Sequence, residues 1–359
     1  MSKEVRLGFI GMGGIARHHL RQLANIPEAK VVAVADPSAA SIEQMRKDFP
    51  DLADVQVFSD YHEMLEKAKI DAVEIHTPHT QHVSQALDVF AAGKHLLLEK
   101  PMVCTAVDAH KLIKAGKDKV FMISYQRHFE GTYQYIRDQV RAGVLGEIQF
   151  ISLLLGQSWY RGTMGTWRQQ KALSGGGQFN DSGSHIVDIM LWTTGLTAET
   201  VFAFMENYDS EVDIDSAVSI RFTNGAQGTI SIIGDSPLWW EEFSIWGKEG
   251  MMLIRQGKLS QAKFGDKGLT PVEQTGLQLV EERLRPFVGG VRAVPLREPS
   301  PGLTARIMQA LPAAEAARPR FRFAVHPVRA AAAAALLLAL GVAILAIPRV
   351  QHRRQTAAV

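Results

Sequence analysis

Three side chains in this 359-residue sequence are of the types that move protons and steady an oxygen anion: Lys100, Asp181 and His185. Lys100 lies in Glu99-Lys100-Pro101, at the end of an apolar run. Asp181 and His185 close the stretch Gly175-Gly176-Gly177-Gln178-Phe179-Asn180-Asp181-Ser182-Gly183-Ser184-His185. Histidine titrates near neutral pH and suits a general base. On a turn entering a helix, a spacing of four residues brings Asp181 and His185 to one face. A lysine beside a developing alkoxide is the cation the reaction needs, and the proline after Lys100 holds it extended. A blander reading makes Asp181 a helix cap and His185 a helix-end residue. Upstream, Gly8-Phe9-Ile10-Gly11-Met12-Gly13-Gly14-Ile15-Ala16 has the spacing of a nucleotide-binding loop. A cofactor cradle together with three proton-handling groups points to hydride transfer at a carbon bearing a hydroxyl.

The loop carries its own mechanism. Gly11 permits a tight turn, Gly13 lets backbone approach a pyrophosphate, and Ala16 keeps the next helix close to the sheet. Met12, Gly13, Gly14 and Ile15 then open that helix, whose free N–H groups and dipole favour phosphate. Asp36 follows at the end of the next strand, where a carboxylate accepts from a ribose 2′-hydroxyl and repels a 2′-phosphate. NAD is therefore expected over NADP. No metal is expected.

These groups must be held by a sheet. Short apolar runs at Val5–Ile10, Lys30–Ala35, Val55–Phe58, Ala72–His76, His95–Leu98 and Val120–Ser124 alternate with helical stretches. The helices are Ile15–Ala24, Ser38–Phe49, Tyr61–Lys67, Thr80–Ala92 and Thr105–Lys117, with Ser38 and Ser59 as caps. This pattern predicts an α/β Rossmann fold, a doubly wound parallel sheet, over residues 1–124. Lys100 then falls beyond the carboxyl end of the fifth strand, where such sheets bind ligands. Residues 125–327 read as an α+β domain with a mainly antiparallel open sheet. Its helices are Thr132–Ala142, His185–Leu191 and Leu303–Ala317. Its strands are Glu147–Leu155, Thr200–Met205, Ala217–Phe222, Gln227–Ile233, Glu242–Trp246 and Met251–Ile254.

Composition narrows the class. The formal net charge of +2 implies no basic face, so nucleic acid is not an expected partner. Cys104 is the sole cysteine, which rules out an intrachain disulfide and suits a reducing compartment. Met1 leads straight into a strand without a secretory-signal pattern, so a cytoplasmic location is expected. The last segment, 328–359, differs. Ala330–Ile347 is an unbroken apolar run, about 27 Å long as a helix and just short of a hydrocarbon core. No lysine occurs after Lys267. This tail is a membrane anchor, a terminal helix packed on a partner, or the product of a frame error.

In the glycine loop, Thr77-Pro78-His79-Thr80-Gln81-His82, Gly93–Pro101, Trp167-Arg168 and Gly175–Asp188, the chain resembles the Gfo/Idh/MocA oxidoreductases. The match runs from about residue 5 to residue 250. The resemblance implies that Lys100 hydrogen-bonds the reacting oxygen and that Asp181 holds substrate hydroxyls. His185 would take the hydroxyl proton as hydride leaves for the nicotinamide. It places Thr77, Pro78, His79, His82, Glu99, Lys100, Trp167 and Arg168 at the cofactor. Gln126, Arg127 and Tyr160 would join Lys100, Asp181 and His185 at the substrate. The family commonly has asparagine where this chain has His79. His82 has a structural alternative, Arg127 a surface one, and the aromatics Trp159, Tyr160 and Trp167 either stack on a sugar or fill the core.

The substrate implied is a sugar, polyol or cyclitol, and the assembly a homodimer or homotetramer joined through an open sheet face. Two rivals stand beside this reading. One is NAD-dependent glycoside cleavage by transient oxidation and elimination. The other is a non-catalytic NAD-sensing regulator.

Overall fold

Val5–Ile10 (β1) is buried on both faces, as a central parallel strand must be. It leads through the glycine loop into Gly14–Leu23 (α1) and then Ala29–Ala35 (β2). The alternation continues with Ala39–Asp48 (α2), Gln56–Phe58 (β3), Tyr61–Lys67 (α3), Ala72–Ile75 (β4) and His82–Ala91 (α4). His95–Leu98 (β5), Ala106–Ala115 (α5) and Phe121–Ile123 (β6) complete it. The computed structural model describes residues 4–273 and 285–292. Its first sheet has the order β3-β2-β1-β4-β5-β6, all parallel, the doubly wound arrangement expected. Ser38 caps α2 by accepting from the Ser41 N–H. At α3 the cap is Asp60 rather than Ser59, because the carboxylate accepts from the His62 N–H. A carboxylate is also the better partner for the helix dipole.

The second domain opens with Gly131–Arg141 (α6) and the long strand Ile148–Ser158 (β7). Three short helices follow, Trp159–Thr163 (α7), Lys171–Ser174 (α8) and Gln178–Asp181 (α9), and then the longer Gly183–Thr194 (α10). The remaining strands are Ala198–Glu206 (β8), Asp215–Phe222 (β9), Gln227–Ile233 (β10), Asp235–Gly247 (β11), Gly250–Arg255 (β12), Lys258–Lys263 (β13) and Thr270–Pro271 (β14). They form an eight-stranded sheet of order β14-β13-β12-β11-β7-β10-β9-β8. Only the β7–β10 pair within it is parallel, so the sheet is mainly antiparallel. Strand β9 alternates buried and exposed residues, with Ser216, Val218, Ile220 and Phe222 inward. Val218, Ile220 and Phe222 pack with Ile186, Ile189 and Met190 of α10 and with Tyr133 and Ile136 of α6 into one core.

Strands β7 and β11 run longer than the apolar pattern suggests, and β7 delivers the chain directly to Trp159. Residues Arg285–Arg292 (α11), expected within the second domain, pack Phe287, Val288 and Val291 against Val5, Leu7 and Leu97 of the first. Among the described residues no helix is long and apolar enough to cross a membrane. The helix expected at Leu303–Ala317 and the apolar tail lie outside the described residues.

Candidate active site

The cofactor cradle forms where β1 stops. Gly11 has φ +88°, and a Cβ there would stand 3.0 Å from the His76 carbonyl carbon and oxygen, so this turn requires glycine. Gly13 sits at the N-cap of α1 with no side chain capping the free N–H groups and no acidic residue in the first turn. Nothing lies within 4 Å of a Cβ built at Gly13 or Gly14. An uncapped helix start facing open space fits a dinucleotide pyrophosphate. Asp36 closes the loop: its Oδ2 accepts from the Met12 N–H at 2.7 Å and its Oδ1 from the Ser38 N–H at 2.8 Å. It stands at the end of β2, where a ribose is expected. The residues present therefore fit NAD.

The chemical groups meet across the two domains. Lys100 Nζ lies 2.6 Å from Asp181 Oδ1. The other carboxylate oxygen accepts from the Trp159 indole N–H at 3.0 Å and from Arg168 Nε at 3.1 Å. Burial alone would push the Asp181 carboxyl up. The charges of Lys100 and Arg168 overcome it and hold Asp181 well below the usual carboxylate range. None of this is capping: Ser182, the N-cap of α10, makes no side-chain cap bond, and the Asp181 carboxylate turns to Lys100, Trp159 and Arg168.

His185 lies in the first turn of α10, one turn beyond Asp181. Its ring meets Tyr125 edge-on at 5.9 Å, and its Nδ1 is buried without a hydrogen-bond partner. Burial, then the charges of Lys100 and Arg127, push its pKa down to about 3. The ring is therefore neutral at physiological pH, with a lone pair free to accept a proton. Tyr125 is pushed upward by burial and stays protonated.

His79 and Trp167 form a wall of the site, edge to face at 4.8 Å. His79 Nδ1 donates to the Ser174 carbonyl at 3.1 Å, leaving Nε2 3.9 Å from Asp181 Oδ1. Burial lowers its pKa to about 4, so it too is neutral. Arg168 lies over the Trp167 ring at 4.6 Å and reaches Asp181, so this expected cofactor-side residue is tied to the carboxylate that Lys100 also meets. Thr77 donates its hydroxyl to Gln85.

Four further expected residues have the following partners. His82 is fully buried between the Pro101 carbonyl at 2.9 Å and the Thr77 carbonyl at 3.0 Å. Burial lowers its pKa, so the neutral ring donates to one of these two carbonyls and packs its other nitrogen against the second, between the Thr77-Pro78 loop and the Lys100 loop. Glu99 is buried, with Oε1 3.0 Å from His19 Nε2 and Oε2 accepting the Lys100 N–H. Tyr160 gives its hydroxyl to Asp209 and stands beside Tyr208 rather than among Lys100, Asp181 and His185. Adjacent residues on a helix point about 100° apart, so Trp159 turns inward and Tyr160 turns away. Arg127 is buried against Glu241, with Nη2 donating to Oε2 at 3.0 Å and Nη1 donating to the Tyr133 hydroxyl at 2.9 Å. Gln126 and Arg127 nevertheless line a cavity of about 530 Å³ with Trp239, Glu241 and Gln256.

Sequence reasoning missed Asp213. Its carboxylate accepts from the Gly177 N–H at 2.8 Å and the Phe179 N–H at 2.7 Å, and its carbonyl accepts from Gln178 N–H at 2.9 Å. This clamp sets the short helix carrying Asp181. A Cβ at Gly177 would stand 1.9 Å from that carbonyl, which explains the last glycine of the triplet. No local pattern marks Asp213; its only signal is the acidic residue itself.

The comparisons agree with this architecture. The family model described as "Oxidoreductase family, NAD-binding Rossmann fold" matches residues 5–126, and the GFO/IDH/MocA C-terminal domain matches residues 133–253. The rhizopine catabolism protein MocA of Rhizobium meliloti is 33% identical over 239 residues, covering 63% of this chain and 70% of that protein. The scyllo-inositol 2-dehydrogenase (NAD(+)) of Bacillus subtilis is 27% identical over 274 residues, covering 71% and 75%. A solved levoglucosan dehydrogenase in complex with NADH superposes with TM-score 0.73 at 21% identity, over 86% of this chain and 96% of that one, which shows a shared fold. The glycine cradle, the convergent lysine and aspartate and the matched domains together place the chain in the Gfo/Idh/MocA family, as an NAD-binding oxidoreductase.

Proposed function

We propose that the chain oxidises a secondary hydroxyl of a sugar, polyol or cyclitol, reversibly, with NAD as the hydride partner. The observation that carries this reading is the 2.6 Å contact of Lys100 with Asp181, beside a neutral His185. When bound, NAD supplies the hydride acceptor. Gly11, Met12, Gly13, Gly14, Ile15 and Asp36 would hold it, together with Thr77, Pro78 and Trp167. The Lys100 ammonium donates to the hydroxyl oxygen and stabilises the charge that develops there. His185 accepts the hydroxyl proton at a ring nitrogen. Asp181 orients the ammonium and accepts from a neighbouring substrate hydroxyl.

The substrate class rests on the relatives rather than on the cavity beside Gln126 and Arg127, which is lined by none of Lys100, Asp181 and His185. The names of the inositol and levoglucosan dehydrogenases agree with that class. A spectrophotometric screen of NAD and NADP against a library of polyols, cyclitols and aldoses tests the reading. Reduction of NAD by a library member, lost in Lys100→Met with NADH binding retained, is the expected result. An unchanged rate in that variant removes Lys100 from the chemistry.

The same reading includes a homodimer or homotetramer. The edge strand β8 exposes Val201, Phe202, Phe204 and Met205, an apolar stretch that supports association through the second sheet. Sedimentation of Phe204→Glu beside the unaltered chain tests it, with a smaller assembly expected.

A further inference from the structure

Beneath the cofactor loop lies a buried cluster that the chemistry above does not use. His19, on α1, is 2% exposed and Glu74, on β4, is fully buried. His19 Nδ1 lies 2.9 Å from Glu74 Oε2, and His19 Nε2 lies 3.0 Å from Glu99 Oε1. His76 meets the same Glu74 oxygen at 3.2 Å and packs edge-on against His19 at 4.6 Å. His18 is the next ring, at 6.4 Å. Carboxylate oxygens only accept, so both ring nitrogens of His19 carry protons and the ring is a cation between two anions. His19, His76 and Glu99 converge closely enough to suggest metal ligands. Each His19 nitrogen is already at hydrogen-bond distance from a carboxylate, however, so shared protons account for the approach.

The connection to the active site is direct. The Glu99 oxygen not facing His19 accepts the Lys100 backbone N–H at 3.2 Å. His19 also rides on α1, whose uncapped N-terminus at Gly13 faces the cofactor space. One rigid helix thus touches both the expected pyrophosphate and, through Glu99, the backbone of Lys100. Burying two carboxylates and an imidazolium is costly unless each is paired. Resting on the reading of Lys100 given above, we propose that His19 is a positioning residue: by bridging Glu74 and Glu99 it fixes the Lys100 backbone and aims its ammonium at Asp181.

The test needs no turnover. The full chain with NADH is treated with an acetyl N-hydroxysuccinimide ester, and acylation of each lysine is followed by mass spectrometry. His19→Leu keeps most of the volume but donates nothing; His19→Gln keeps amide donors. Lys100 acylation is expected to rise about tenfold in His19→Leu, the weight of one lost charge-assisted hydrogen bond, and to return towards the native rate in His19→Gln. Lys94, held by the Ile70 carbonyl at the amino ends of β4 and β5, is the control for general loosening. Equal native rates at Lys100 in both variants overturn the proposal, as does a parallel rise at Lys94. With a polyol that the chain oxidises, kcat falls in His19→Leu while the Kd for NADH holds. A chain that oxidises no polyol refutes the proposed function, yet the acylation contrast still decides the role of His19.

Discussion

The indole N–H of Trp159 holds Asp181 Oδ2 at 3.0 Å, the carboxylate oxygen that Lys100 leaves free. Trp159 follows immediately on the end of β7, so the second sheet positions the carboxylate on which the first domain's lysine depends. Trp159→Phe keeps the packing and removes one donor, which costs about 1 kcal/mol and predicts kcat lower by roughly fivefold. Asp181→Asn leaves Lys100 and Arg168 without their shared anion and predicts a loss of roughly 10²-fold or more. Steady-state rates of both variants, compared with the unaltered chain, check the pair.

His185 sets the acid side of the pH profile. Its pKa is pushed down to about 3 by burial and neighbouring cations, so in the free protein it stays neutral and able to accept a proton from there upward. Since kcat/KM reports free-enzyme groups, the acid limb due to His185 lies well below the ordinary histidine value of about 6.5. Alcohol oxidation measured from pH 4.5 to 8 is expected to show no histidine limb near 6.5. His185→Phe is expected to lower kcat by roughly 10²-fold or more. A limb centred near 6.5 that disappears in the variant contradicts this.

His19 makes stability depend on alkaline pH. Burial opposes its charge, but Glu74 and Glu99 raise its pKa from 6.5 to about 9. A raised pKa contributes stability that is complete below the unfolded value and is lost as pH climbs through the folded one. Glu74 and Glu99 are lowered, so their contributions are complete above the carboxylate range and fall away only in acid. Between pH 6.5 and 9 the His19 part therefore declines, by roughly 3 kcal/mol in full. Urea unfolding at pH 6.5 and pH 9.5 is expected to show that decline, and His19→Leu to show much less of it.

Gly177 and Asp213 can be separated. Gly177→Ala places a methyl group 1.9 Å from the Asp213 carbonyl oxygen, so the chain must shift, at a cost of roughly 1–3 kcal/mol. Asp213→Asn keeps the shape but puts an amide nitrogen, which cannot accept, opposite one of the two loop N–H groups, and removes the charge from the bond to the other. The first variant is expected to lower both Tm and kcat, and the second mainly kcat, by misaligning Asp181. Calorimetry beside steady-state kinetics distinguishes them.

Much of the molecule is legible along the chain because its causes are local. The six parallel strands follow from short apolar runs alternating with helices, and the cradle follows from Gly11, Gly13 and Asp36 at fixed offsets. Lys100, Asp181 and His185 stand out as residue types suited to one reaction. Other features depend on partners far away in sequence. Glu99 faces His19 across 80 residues, and Arg127 reaches Glu241 across 114. Asp213 clamps a loop more than 30 residues upstream, and β10 lies parallel to β7. Tyr160 turns away while its neighbour Trp159 turns in. Periodicity and spacing determine which element a side chain rides on and, roughly, its face. Only the docking of the elements decides which buried charge it meets, because a buried polar group takes whichever partner the packing brings within about 3 Å.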